Sequence, residues 1–402
     1  MVLFSPFRGS LVKSDFVRRV PAPAFDSMSA GQRRGYLATH TESYALVTRS
    51  PNDGGPQDDA NVARLIELGA EALERICALG AFEDHEEPSF FLYRLTSNNH
   101  VQLGVVGLVE TAAYLDGRVK RHEKVRAIRA EHLSKHFERV GVQSSPIALG
   151  YRSDPVVRAT LDDILSRTDP VLSFTSGDGL EQAVWVVSGP QDCAALTAGM
   201  KPHDLYIMDG HHRAAAAGLL AQRTNSESAG QMLCVLFADD RVNIEPFHRR
   251  VRVEPDADLA GLRRALDEVL RLKSWPEMAT ELPAEAGQVG VCIEGEWFRA
   301  ILPEPATDSP LDAIDPVRLQ RQVIGPVLGI DAQHADGRLK YFLDDIDRVA
   351  LSKSVGGSEL LFVLGPVTPT EVFAVADAGL DMPPKSTYVT PKPRSGVFLR
   401  RL

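Results

Sequence analysis

The chain has 402 residues, of which 44% are hydrophobic and 24% are charged, enough to build sizeable cores in a globular protein. Domains usually span roughly 100–200 residues, so two domains are expected. The formal net charge is -10, from 44 basic and 54 acidic residues. This balance argues against a nucleic-acid partner, because nucleic-acid-binding proteins usually present a basic face to phosphate backbones.

No apolar run approaches the roughly 18–20 residues that span a bilayer, and the N-terminus has no signal pattern. We therefore expect a cytoplasmic protein without a membrane partner.

Helical and strand patterns interleave along the first part of the chain without the steady alternation of a doubly wound sheet, which predicts the α+β class. A helical pattern starts near Ala60, and Gly80 is its expected stop. The predicted strands are residues 90–93, 101–108, 146–149, 171–174, 183–187, 205–208 and 232–237. The predicted helices are residues 123–140, 155–165 and 211–221.

The character of the sequence changes after Val253. The predicted elements there are a helix, a hairpin, a loop rich in proline and aspartate, and a second helix, over residues 259–272, 288–302, 303–316 and 317–324. The second helix should end at Gly325-Pro326, because proline cannot continue a helix. We therefore expect a first domain over residues 1–252 and a smaller α+β domain over residues 253–402.

The strongest signal for chemistry is a buried strand that runs into Asp209-Gly210-His211-His212-Arg213 and then into an alanine-rich helix. The first backbone N–H groups of a helix lack internal partners, and the helix dipole favours negative charge there, so this turn predicts a phosphate site. Gly210 removes a Cβ that would keep an anion away, and Arg213 offers two parallel hydrogen bonds to a phosphate. The alternative is that Asp209 is only the N-cap of the helix and that the histidines are exposed.

A second basic turn, Arg121-His122-Glu123, starts the helix predicted over residues 123–140. It would add donors for an anion and one carboxylate, which could act as a general base or hold Mg²⁺. The alternative is a solvated turn in which Glu123 serves only the helix dipole.

A lysine near the C-terminus is a further candidate. In the segment over residues 382–387, Lys385 follows two prolines, which stiffen the backbone and suit a side chain that must reach a fixed target. The alternative is an ordinary proline-rich tail.

The histidines also raise the question of a metal site. His211 and His212 are adjacent and point in different directions on a helix, whereas paired ligands usually need i, i+4 spacing or convergence from separate segments. A zinc site formed by one of them with His122 is therefore an alternative. A metal-dependent phosphohydrolase is the corresponding alternative function. The four cysteines are far apart and form no CxxC motif.

Five segments occur in a fixed order along the chain, at residues 6–9, 121–123, 209–213, 246–249 and 382–387. In this order they resemble the bacterial and archaeal DUF1015 family over essentially the whole chain. The resemblance implies a ParB/sulfiredoxin-like N-terminal core, in which a Gly-x-x-Arg turn at a helix start binds nucleotide phosphates. Some relatives are free-serine kinases, which convert L-serine to O-phosphoserine with ATP or ADP.

The resemblance thus implies a kinase that transfers a phosphoryl group from ATP or ADP to a small hydroxyl compound, with free L-serine as the expected acceptor. The expected phosphate-binding residues are Gly210, His211, His212, Arg213, Arg121 and Lys385. The expected catalytic residues are Glu123, Asp209, His122 and Arg213. Either Glu123 or Asp209 would be the general base, and the other would help to hold Mg²⁺. The tail that carries Lys385 would return to the active-site cleft.

The chain departs from the family pattern at two places. Val125 stands where the family usually has threonine, and Thr41-Glu42-Ser43-Tyr44 lacks the Asn-Pro of an Asn-Pro-x-Ser-Phe motif. The identity of the acceptor is therefore open. The alternative function is a ParB-type nucleotide-binding regulatory switch without small-molecule kinase activity. The expected partners are a nucleotide and a small molecule, and the sequence leaves room for a homodimer.

Overall fold

The computed structural model describes residues 3–53, 55–56, 58–97, 100–224, 226–254, 258–279, 281–330, 336–343 and 359–402. The chain divides into two compact units. The first unit comprises Met1–Asn243 and Pro391–Leu402, and the second comprises Ile244–Thr390. The units thus differ in their bounds from the domains expected at residues 1–252 and 253–402, because the C-terminal segment of the chain packs with the first unit.

The first unit alternates short strands with helices; both are numbered along the whole chain. Its strands are β1 (Phe4–Ser5), β2 (Ser10–Val12), β3 (Phe82–Asp84), β4 (Phe90–Ser97), β5 (His100–Glu110), β6 (Val119–Lys120), β7 (Val142–Gln143), β8 (Ile147–Tyr151), β9 (Leu172–Thr175), β10 (Glu181–Val187), β11 (Leu205–Asp209), β12 (Gln231–Ala238) and, in the C-terminal segment, β21 (Phe398–Arg401). Its helices are α1 (Ala30–Thr39), α2 (Asp59–Ala78), α3 (Thr111–Leu115), α4 (Ala127–Val140), α5 (Pro155–Arg167), α6 (Pro190–Met200) and α7 (His211–Thr224).

A nine-stranded mixed sheet forms the centre of this unit. Its strand order is β6-β11-β8-β12-β5-β4-β10-β9, and β1 pairs with β5. The pairs β6–β11 and β8–β12 are parallel, whereas β11 and β8 are antiparallel. Strand β11, which carries Asp209 at its end, therefore lies between β6 and β8 near one edge of the sheet. A smaller sheet, in the order β3-β2-β21-β7, incorporates the C-terminal strand.

The core of the first unit lies against the main sheet. The alanine-rich face of α7 takes part in it, since Ala214 and Ala217 are buried in one cluster with Leu149 and Ile207. Small alanine side chains let a helix approach a sheet closely, while each buried leucine or isoleucine contributes about 1.5–3 kcal/mol. Helix α7 packs on α4, and α4 packs on α2. The start of α7 is thereby fixed between the sheet and a helical layer.

The second unit is also a mixture of helices and strands. Its strands are β13 (Ile244–Glu245), β14 (His248–Arg252), β15 (Lys273–Ser274), β16 (Gln288–Ile293), β17 (Glu296–Ile301), β18 (Leu339–Phe342), β19 (Glu359–Leu364) and β20 (Tyr388–Val389). Its helices are α8 (Leu259–Leu270), α9 (Pro310–Ala313), α10 (Asp315–Leu319), α11 (Gly325–Leu328) and α12 (Pro369–Asp377). Six strands form an antiparallel sheet in the order β15-β17-β16-β19-β14-β18. Helices and several sheets in both units confirm the mixed α+β class.

The hairpin predicted over residues 288–302 is confirmed as β16 and β17. Its two turn residues, Glu294 and Gly295, have φ values of 52° and 82°. Two left-handed residues in succession give the turn whose twist matches that of paired antiparallel strands.

Two predictions for the second unit were wrong. The loop predicted over residues 303–316 contains α9 and the start of α10. The helix expected to end at Gly325-Pro326 instead continues through a π-helical turn over Gln320–Ile324 into α11. Pro326 lies in the first turn of α11, directly after the π-helical turn. The helical path ends at Gly329, with φ of 64°.

Within the described ranges, no helix has both the length and the apolar character needed to cross a membrane.

Candidate functional site

A single residue, Gly210, connects the end of β11 at Asp209 to the start of α7 at His211. Gly210 has φ of 102°, and a Cβ at this position would lie 2.9 Å from the guanidinium carbon of Arg213. Any other residue would be strained by the φ value and would collide with the arginine side chain. The glycine that the sequence suggested as an opening for an anion is therefore also required by the turn itself.

The guanidinium of Arg213 fastens this turn to the segment before β8. Its Nη1 donates to the carbonyl oxygens of Ser145 at 3.0 Å and Pro146 at 2.6 Å, and its Nη2 donates to Oδ2 of Asp209. These nitrogens were expected to bind phosphate directly. In the structure they are engaged by protein acceptors, so Arg213 contributes its positive charge to the site and holds the turn in place.

Asp209 also accepts a hydrogen bond from Lys392, whose Nζ lies 2.7 Å from Oδ1. Both side chains are largely buried, with exposed fractions of 7% for Lys392 and 18% for Asp209. Burial alone would raise the pKa of Asp209, but the charges of Lys392 and Arg213 outweigh it and hold that pKa well below its usual range. Asp209 is thus a firmly ionised carboxylate paired with two cations.

Lys392 is a site residue that the sequence reasoning missed. Its signal was the same as that of Lys385, a lysine directly after proline in the C-terminal region. Lys385 lies in the second unit, where its φ is 62° and its Nζ lies 4.8 Å from the centre of the Phe247 ring. The lysine that contacts Asp209 is therefore Lys392.

The parallel pairing of β6 with β11 brings the second predicted turn to the first. Val119 is opposite Leu205 and Lys120 is opposite Tyr206, so the segments after both strands leave the sheet at the same edge. As a result, Nδ1 of His211 lies 3.4 Å from Oε2 of Glu123.

The rings of His122 and His211 meet edge to face, with centroids 4.6 Å apart and an angle of 86° between their planes. Both imidazoles are buried. Burial lowers the pKa of His122 to about 4, and burial together with the neighbouring His122 lowers the pKa of His211 well below its ordinary value. Burial and then the charges of Arg129 and Arg126 lower the pKa of His212 to about 4. All three rings are therefore neutral at neutral pH.

Residue Glu123 does not start a helix, as the sequence had suggested. Helix α4 begins at Ala127, and the backbone N–H of Arg126 donates to Nε2 of His212 at 3.2 Å. This bond connects the segment before α4 to the start of α7. In a helix that started at Glu123, the N–H of Arg126 would instead donate to a backbone carbonyl of that helix. Glu123 is thus a half-exposed carboxylate at the site, whereas Arg121 is exposed.

Two buried ring nitrogens at this site, Nδ1 of His122 and Nε2 of His211, have no hydrogen-bond partner among the residues that the structure describes. Buried polar atoms are nearly always paired with protein, water or a ligand. Together with the first N–H groups of α7, which have no acceptor within the helix, these atoms fit a site that holds a polar ligand.

The described part of the chain contains no group of three His, Cys, Asp or Glu side chains placed to hold a metal ion. Asp209, one of the two residues expected to hold Mg²⁺, already accepts from Lys392 and Arg213 on its two oxygens. A metal ion at Asp209 would have to compete with both cations, so the side chains here suit an anion better than a metal ion bound by protein alone.

The lowered pKa of His122 leads to a prediction for stability. Its pKa is about 4 in the fold against roughly 6.5 in an unfolded chain, so the unfolded chain binds the extra proton between these values. The contribution of the neutral ring to the free energy of unfolding is fully present above about pH 6.5. As the pH falls towards 4, this contribution decreases by up to about 3 kcal/mol. In urea unfolding of wild type and His122→Gln, the gap in unfolding free energy should narrow between about pH 7 and pH 4.5. A gap that stays constant would show that His122 is not held neutral.

Several solved structures are similar to the chain at low sequence identity. Among solved structures, SbnI from Staphylococcus aureus with a C-terminal truncation is 12% identical, with a TM-score of 0.37, and the match covers 73% of this chain and 85% of that chain. A free serine kinase in complex with AMP is 14% identical, with a TM-score of 0.35 and coverage of 72% and 90%. A conserved hypothetical protein from Pyrococcus furiosus is 14% identical, with a TM-score of 0.33 and coverage of 73% and 94%. TM-scores this low establish neither a shared fold nor a shared activity.

A comparison with curated proteins gives no match. The comparison with family models is the informative one, because the model described as "Protein of unknown function (DUF1015)" matches residues 4–321, well over half of the chain. The match contains both turns that form the site, Arg121-His122-Glu123 and the turn from Asp209 to Arg213. The chain therefore belongs to the DUF1015 family.

Proposed function

We propose that the protein is a small-molecule kinase that transfers a phosphoryl group from ATP or ADP to a hydroxyl acceptor, with free L-serine as the first candidate. The observation that carries the proposal is the convergence, at the start of α7, of a glycine turn, three neutral imidazoles and the carboxylate of Glu123. Phosphoryl transfer depends mainly on positioned donors and electrostatic stabilisation, which such a site can supply. The choice of a ParB/sulfiredoxin-like core and of L-serine rests on the family resemblance of the two turns.

The start of α7 suits the phosphates of a nucleotide. The backbone N–H groups of His211, His212 and Arg213 lie in the first helical turn, where no intrahelical acceptor exists. Lys392 and Arg213 place two positive charges beside this turn. These charges would stabilise the negative charge of the transferring group.

The two carboxylates of the site are suited to different tasks. Asp209 is a poor general base, because two cations hold it in the ionised form and its pKa lies well below the usual range. Glu123 has a side chain that is 46% exposed and lies 3.4 Å from His211. We assign the removal of the proton from the acceptor hydroxyl to Glu123, with His211 holding the carboxylate in position.

Mg²⁺ would enter with the nucleotide in this proposal. The ion usually keeps several waters and binds substrate phosphates together with one or two carboxylates. With Glu123 assigned as the base, Asp209 is the carboxylate left for the ion, which would compete there with Lys392 and Arg213. When bound, it would neutralise charge on the phosphate oxygens.

The direct test is an assay of purified protein with Mg²⁺, ATP or ADP, and L-serine, with O-phosphoserine detected by mass spectrometry. L-Alanine is the matched control, because it lacks only the hydroxyl group. Formation of O-phosphoserine is the expected result. Nucleotide binding without product from serine or from a panel of other small hydroxyl compounds would reject the kinase and favour the nucleotide-dependent regulatory switch.

A further inference from the structure

A cavity in the first unit lies between α1, residues 50–53 and 55–56, and the start of α2. Its volume is about 450 Å³, within the range of small-molecule sites. It shares no lining residue with the site at the start of α7. Three of its lining residues are arginines: Arg34, Arg49 and Arg64. We call this cavity the arginine pocket.

The acidic residue of the lining, Asp53, does not neutralise these arginines. Its Oδ1 lies 2.7 Å from Nε of Arg33, a buried arginine behind the pocket wall. Its Oδ2 accepts a hydrogen bond from the backbone N–H of Ser50 at 2.9 Å. The charge of Asp53 is thus matched by a cation outside the pocket lining.

The pocket arginines themselves lack acidic partners. Within the described ranges, none of the three forms an ion pair with a carboxylate. Arg34 donates from Nη1 to the backbone carbonyl of Asp53 at 3.2 Å. Nε of Arg49 is buried and has no hydrogen-bond partner in the part of the chain that the structure describes. Burial chiefly, and to a small extent the charge of Arg49, lowers the pKa of Arg33.

Three guanidinium groups around one cavity repel each other unless an anion lies between them. The guanidinium fork matches phosphate oxygens in pairs of parallel hydrogen bonds, and a phosphate monoester carries about 1.5–2 negative charges at neutral pH. The apolar side chains of Leu37 and Leu65 also line the cavity. We propose that the arginine pocket binds a phosphate monoester of a small organic molecule, with the phosphate on the arginines and the organic part against the two leucines. This site is separate from the proposed kinase site and does not depend on it.

The test uses phenyl phosphate as the probe, titrated into the full-length protein by calorimetry. We expect saturable binding at one site, and binding of benzoate, which has a similar ring but a single charge, weaker by about tenfold or more. Arg34→Ala and Arg64→Ala should each weaken the binding of phenyl phosphate by about tenfold. Both residues are exposed on helices, so the variants should fold normally.

Arg75→Ala is the matched control, because Arg75 is an exposed arginine of the same helix α2 outside the pocket. An equal loss in this variant would mean non-specific attraction and would overturn the proposal. Binding that is lost in His212→Ala but unchanged in Arg64→Ala would belong to the site at α7 and would also overturn it. So would the absence of saturable binding, or benzoate binding as tightly as phenyl phosphate. The kinase proposal would survive each of these outcomes, since its own assay is independent of them.

Discussion

Asp209→Asn is expected to lower the free energy of unfolding by about 3–5 kcal/mol, the range seen when one partner of a buried ion pair is removed. The carboxylate accepts from Lys392 at 2.7 Å and from Arg213, and both cations are largely buried. Asparagine has nearly the same shape but no charge, so the two cations would stay in the fold without compensation. Urea unfolding followed by circular dichroism at neutral pH measures the loss.

The double variant Asp209→Asn with Lys392→Met serves as the control for this prediction. Because it removes a buried cation together with the anion, its cost should be clearly smaller than the sum of the two single costs. The pKa of Asp209 is depressed in the fold, so the stability that its charge provides is present above the unfolded value of about 3.9 and is lost only at lower pH. The wild-type advantage should thus be equal at about pH 7 and pH 5. A loss below about 1 kcal/mol would instead be typical of an exposed pair and would contradict the buried geometry.

The turn at Gly210 could be predicted from sequence because its determinants are local. An apolar strand, a glycine and an alanine-rich helix follow one another directly, and the structure has β11 and α7 where they were expected. The contact between Lys392 and Asp209 could not be predicted in the same way. It joins residues 183 positions apart, and no hydrophobic period or turn motif encodes a pairing over that distance.

The relation between the two turns is a further result of tertiary structure. Strand β6 has only two residues, too few to show an alternating pattern, and it was not predicted. Yet its parallel pairing with β11 is what brings Glu123 to His211. The start of α4 was misplaced for a similar reason, since the N–H of Arg126 is taken by His212 from another helix. Helix propensity alone cannot anticipate such a competing acceptor.

The kinase proposal makes its sharpest prediction at Glu123. Glu123→Gln is expected to lower kcat for phosphoryl transfer to the acceptor by about 10²–10⁴-fold, the usual contribution of a general base. Glutamine keeps the length and the hydrogen-bonding oxygen next to His211 but cannot accept the proton of the hydroxyl group. Nucleotide affinity should change little, because the donors at the start of α7 are intact.

Glu131→Gln on α4 is the matched control, since Glu131 pairs with Arg223 on the exposed surface and should leave kcat near the wild-type value. A Glu123→Gln enzyme that keeps kcat within about threefold of wild type would rule out Glu123 as the base, because the loss of a general base lowers kcat by more than that. With Asp209 already paired to two cations, the proton would then have to leave through one of the neutral imidazoles at the start of α7.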